Sequence, residues 1–217
     1  MHEKFFFFPI CPLAFLCRIL IKIASIPMEQ RALTNRGEFQ IIQAQYNMTY
    51  LHKLPCWIHG PRIITQSAIL HEINSKYSIS VLHSYFQYNE IYNEYQMIWS
   101  YFYNYHREYL YPQLEGSLYG NTNFSSITSI KSNLQIYNCL EQRFAYNAWY
   151  LAEFSILDLM LFCNLAVLDY CSQINWIFYP NLKKWYIRLK SHEDYNFIFQ
   201  EKIYTIRPPM HFASLDF

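Results

Sequence analysis

Four consecutive apolar residues, Phe5 to Phe8, end at Pro9. A short apolar run closed by a proline reads as a fully buried strand. From Pro12 to Ala24 the period changes: Leu13, Leu16, Leu20 and Ile23 recur at three-to-four spacing, and Pro12 falls in the first turn, where a missing N–H costs nothing. The chain therefore passes from strand to helix at Ile10-Cys11-Pro12. Met28 to Leu33 reads as a second strand and Gly37 to Tyr46 as a short helix. Leu54-Pro55-Cys56-Trp57-Ile58 and Pro61-Arg62-Ile63-Ile64-Thr65 flank His59-Gly60 and read as a hairpin. Gln66-Ser67 then opens a helix through about Lys76.

This order, β-α-β-α-β-β-α, is a thioredoxin-like outline. After Ser80 strand signals fade, and amphipathic stretches take over at Tyr85 to Tyr109, Ser125 to Phe144, Ser155 to Tyr170 and Asn181 to Lys190, with a loop-rich interruption at Gly116 to Asn123. The expected architecture is an α/β thioredoxin-like N-terminal domain, residues 1–78, and an all-α C-terminal domain, residues 84–217, joined across Tyr77 to His83. Ser155-Ile156-Leu157-Asp158 has the spacing of a capping box and should nucleate the helix that follows.

With 53% hydrophobic and 15% charged residues, the chain has ample apolar area to offset its conformational entropy, so disorder is not expected. With a formal net charge of +1 and scattered basic residues, no overall field draws the chain to nucleic acid, and no nucleic-acid partner is expected. Six cysteines show neither C-x-x-C nor zinc spacing and read as reduced thiols, which fits the cytoplasm and implies no metal. The apolar stretch from Phe5 to Ile26 is broken by Pro9, Pro12, Arg18 and Lys22, so neither export nor membrane insertion is expected. The histidines form no H-E-x-x-H motif and no Ser-His-Asp order.

Taken in order, Cys11-Pro12 with Arg18 on the same helix, Leu54-Pro55 before a hairpin, Gln66-Ser67-Ala68-Ile69, and Trp149 through Asp158 resemble glutathione transferases across essentially the whole chain. The resemblance implies a cis Leu54-Pro55 bond, with the backbone of Leu54 pairing with the cysteinyl part of glutathione. It implies that Gln66 and Ser67 hold the γ-glutamyl carboxylate at a helix start, although a plain N-cap role for Ser67 has the same geometry. It also implies a homodimer. Cys11 matches the position used as a nucleophile by omega-type relatives, where a helix dipole favours the thiolate. The alternative is a buried cysteine acting as a small hydrophobe.

Leu168-Asp169-Tyr170, Ile174-Asn175-Trp176, Lys184-Trp185-Tyr186 and the end Pro208 to Phe217 resemble an alphaproteobacterial subgroup that includes an FtsZ-binding division factor. That resemblance implies FtsZ as partner, with Leu215, Asp216 and Phe217 as a linear motif held extended by Pro208-Pro209. The alternative is that the tail packs on its own helical domain. Three departures from the transferase pattern, Asn47-Met48, Glu153-Phe154 and Ser191-His192-Glu193, imply weakened or lost glutathione binding. Three roles stay open: a division scaffold, a glutathione-dependent transferase or thiol reductase using Cys11, or a drifting remnant of reduced function.

Overall fold

Strand β1 (Glu3–Phe7) delivers the chain into α1 (Pro12–Ile23), which returns it to β2 (Met28–Ala32). The two strands pair in parallel, Glu3 opposite Met28 through Phe7 opposite Ala32. Helix α2 (Arg36–Gln45) leads to the hairpin β3 (Cys56–His59) and β4 (Arg62–Thr65), followed by α3 (Ala68–Tyr77). The result is a four-stranded mixed sheet in the order β2-β1-β3-β4, as expected for the thioredoxin-like half. This computed structural model describes residues 3–49, 53–106, 110, 134–200 and 208–214.

Alternation along the strands sorts the core onto two faces. Phe6, Cys56 and Ile58 pack with Leu33 and with Ile42 of α2. On the other face the Arg18 guanidinium of α1 lies 4.4 Å from the Phe7 ring centre, and the Lys76 ammonium of α3 lies 5.2 Å from Trp57. The run Phe5 to Phe7 is buried throughout because each side of the sheet is covered.

The chain divides into two units, Met1–His83 and Ser84–Phe217. The stretch expected to link them, Tyr77 to His83, is mostly helix. Only Ser78, in a left-handed conformation at φ 48°, and Ile79 interrupt it before α4 (Ser80–Gln87) begins. The single helix expected from Tyr85 is also divided, because Tyr88 is extended and α5 (Asn89–Tyr105) starts after it. Among the described residues the second unit continues with α6 (Leu134–Tyr146), α7 (Ile156–Tyr170) and α8 (Pro180–Lys190). The expected loop at Gly116 to Asn123 lies outside the described residues, as does the start of the helix expected from Ser125.

All fifteen residues of α7 are buried, so it is the axis of the helical unit. Its start is the capping box: the Ser155 hydroxyl accepts from the Leu157 N–H (3.3 Å), and Asp158 accepts from the Ser155 N–H (3.1 Å). Asp158 also accepts from the Tyr150 N–H at 2.8 Å and the Trp185 indole at 3.0 Å. One carboxylate thereby ties the preceding loop and α8 to the head of the central helix.

Candidate functional site

Strand register brings the candidate residues of the first unit to one end of the sheet. Phe6 pairs with Cys56, and Cys56 pairs with Thr65, so the exit of β1, the entry of β3 and the exit of β4 lie side by side. Cys11 follows the first, Leu54-Pro55 precedes the second, and Gln66-Ser67 follows the third. The Leu54-Pro55 bond is cis. The Pro55 carbonyl accepts from the Gln66 N–H at 2.9 Å, which couples two of the three segments directly.

Gln66 does not open the helix as the sequence suggests; it stands before it at φ 54°. A left-handed glutamine, exposed beside a helix start, is a strained backbone position of the kind that clusters at ligand sites. Ser67 is exposed, and its side chain makes no capping hydrogen bond to α3. The cap function that would account for this serine is therefore not performed by it. Ser67 stands at the start of α3, and a helix N-terminus is a favourable place for a carboxylate.

Cys11 is the N-cap of α1, extended at φ −137° and ψ 112°, and is partly exposed. Burial of its sulfur nevertheless pushes the thiol pKa up, against the opposing pull of the Ala14 and Leu13 N–H groups. The direction is opposite to the one that the helix start alone predicts, because desolvation of a thiolate outweighs two amide dipoles. Cys17, one and a half turns further on, is fully buried and raised further still, first by burial and then by the neighbouring Cys11.

The second unit holds a polar cluster that gathers residues from the segments singled out in the sequence, Asp169, Trp176, Tyr186 and His211. Asp169 of α7 is fully buried; its Oδ1 accepts from the Trp176 indole at 2.7 Å and lies 2.8 Å from His211 Nε2, and its Oδ2 accepts from the Tyr186 hydroxyl at 3.1 Å. Lys190, 0% exposed, donates to the His211 carbonyl at 2.9 Å amid the rings of Tyr186, Phe199 and Phe212. Burial lowers the Lys190 pKa to about 8, with Asp169 acting against that shift. Phe212 packs between Tyr170 and Phe199, at 4.9 Å from each ring. The tail is thus docked on its own helical unit through His211 and Phe212. Leu215, Asp216 and Phe217 lie outside the described residues. Asp169 and Trp176 are seven residues apart, but His211 is forty-two residues from Asp169, so no local pattern could join them.

Among the described residues no group of three or more His, Cys, Asp or Glu side chains could hold a metal, and no helix is long and apolar enough to cross a membrane. No family model and no curated protein matches the sequence. Solved structures do match, and they show that the chain has the glutathione transferase fold from end to end. A glutathione S-transferase from Sinorhizobium meliloti 1021 superposes with a TM-score of 0.80 at 22% identity, covering 100% of both chains. FzlA from C. crescentus is similar at TM-score 0.76 and 17% identity, again over 100% of both chains. A glutathione S-transferase from Methylobacillus flagellatus KT, solved with glutathione bound, gives 0.67 at 15% identity over 90% of this chain and 98% of that one.

Proposed function

We propose that the chain is a division scaffold on the glutathione transferase fold, binding FtsZ polymers without turning over an electrophile. The observation that carries this reading is the placement of Cys11: the helix start that should activate the thiol is present, yet burial pushes its pKa up instead of down. The full-length likeness to FzlA and the Leu215-Asp216-Phe217 end support the same reading. The test must spare the docked part of the tail, because deleting Pro208 to Ser214 would remove buried Phe212 and uncover Lys190. In co-sedimentation with GTP-assembled FtsZ, the full chain should pellet with the polymer and a Leu215→Ala, Phe217→Ala variant should not. A full chain that stays in the supernatant would reject the scaffold.

A second reading is favoured by the end of the sheet, where the left-handed Gln66 and the uncapped Ser67 hydroxyl adjoin Pro55. In it, Leu54, Pro55, Gln66 and Ser67 hold glutathione, and Cys11 attacks a disulfide as thiolate, expelling the other sulfur as a thiol. Glutathione then resolves the mixed disulfide, since no second cysteine stands in a C-x-x-C motif. In either role the protein would be a homodimer, with the N-terminal domain of one copy meeting the helical domain of the other. Calorimetric titration with glutathione separates the readings: millimolar or tighter binding keeps the second alive, and no heat at millimolar ligand removes it.

A further inference from the structure

The turn before α8 holds two large apolar side chains out in solvent. Trp176–Phe178 forms one 3-10 turn, capped by Asn175, whose Oδ1 accepts from the Ile177 N–H at 3.2 Å. Trp176 points inward, donating to Asp169 and stacking on Tyr186 with ring centres 4.7 Å apart. Tyr179, on the other side, is buried against Tyr137 at 5.4 Å. Between these two anchors Ile177 is 85% exposed and Phe178 is 68% exposed. Single exposed apolar residues need no explanation, but an adjacent pair on a turn pinned at both ends is preorganised for contact and loses little entropy on docking.

The helix that follows supplies the charge. Its eleven residues contain Lys183, Lys184, Arg188 and Lys190 and no acid. Lys190 is buried, whereas Lys184 and Arg188, four apart and so on one face, are exposed. Lys184 stands about one turn, roughly 6 Å along the axis, from the helix start. Arg188 is fixed in place, donating to the Ala148 carbonyl at 2.9 Å with its guanidinium 4.9 Å from the Trp149 ring centre. The apolar pair stands just before a helix whose exposed residues include Lys184 and Arg188, with the Glu141 carboxylate taken up by the helix's own Asn181 and Leu182 N–H groups. This composition is complementary to carboxylates beside an apolar anchor.

We infer that Ile177, Phe178, Lys184 and Arg188 form a docking surface for an acidic peptide segment bearing a large apolar side chain. The surface is defined by its own chemistry and does not depend on FtsZ being the partner. The probe is a fluorescein-labelled dodecapeptide of Glu and Asp residues interrupted by one Leu-Phe pair, titrated with the full chain by fluorescence anisotropy. Saturable binding is expected at low salt, weakened at high salt because exposed charges are screened. An Ile177→Ser, Phe178→Ser variant and a Lys184→Glu variant should each bind about tenfold more weakly. Both keep the buried anchors, so their thermal unfolding should match that of the parent chain. The inference is overturned if the parent chain does not bind, if both variants bind as it does, or if a peptide with lysine in place of every acid binds equally well.

Discussion

At the scale of single residues, the decisive contrast is between what a position offers and what its surroundings allow. Cys11 has the helix start that should yield a thiolate, and burial reverses the outcome. Alkylation by iodoacetamide, followed by mass spectrometry, should therefore label Cys11 at pH 7.5 about tenfold more slowly than a free cysteine peptide, with the rate still climbing past pH 9. Faster labelling than the free peptide would mean an activated thiolate and would shift the balance to the transferase reading. The sequence makes the placement of Cys11 readable because Pro12 and the Leu13-Leu16-Leu20 spacing fix the helix start. It does not make the pKa readable, since desolvation depends on side chains brought in from elsewhere in the fold. Asp169 and His211 lie in segments that the sequence singles out, but their pairing is not readable for a similar reason, since only the fold places them 2.8 Å apart.

At the scale of elements, two serines precede two helices and do different work. The Ser155 hydroxyl accepts from the backbone of α7, whereas Ser67 leaves α3 uncapped. Ser155→Ala should cost about 1 kcal/mol of unfolding free energy. Ser67→Ala, at an exposed site with no bond to lose, should cost less than about 0.5 kcal/mol. Urea denaturation of the two variants measures both, and equal losses would restore the plain cap reading of Ser67. The sequence predicts both helices from their polar openings, Gln66-Ser67 and Ser155 to Asp158. It could not separate the two serines, because the difference lies in the Gln66 backbone, at φ 54°, which sets the approach to α3. The same limit explains the connector: Tyr77 to His83 lacks strong periodicity, and its helical part is set by packing that includes buried Leu82.

At the scale of the whole molecule, buried thiols link stability to pH. Burial raises Cys56 to about 12, and pushes Cys17 and Cys171 upward as well. A raised folded-state pKa means that the stabilisation is complete below the unfolded thiol value near 9 and is lost as pH rises through and beyond it. The unfolded chain then releases protons that the folded chain keeps. Under reducing conditions the unfolding free energy should fall between pH 8 and pH 10, by up to about 1.4 kcal/mol per pH unit for each such thiol. The fall is offset in part by Lys190, whose pKa of about 8 makes the folded chain lose a proton that the unfolded chain keeps. Buried Tyr186, raised chiefly by burial and then by Asp169, adds to the fall at higher pH. Urea midpoints at the two pH values test this, and Cys17→Ala should flatten the slope; a flat profile in the parent chain would contradict the burial of these groups.

The carboxylate shared by Trp176 and His211 also sets an order of events during synthesis. The sheet of the first unit is complete once Thr65 is available, so it can close while most of the chain is still being translated. The helical unit cannot finish on that schedule. Until residue 211 has left the ribosome, Asp169 lacks one of its three partners and Lys190 lacks its carbonyl acceptor. For the whole of that interval a chaperone would meet a nascent bundle with an open, charged seam.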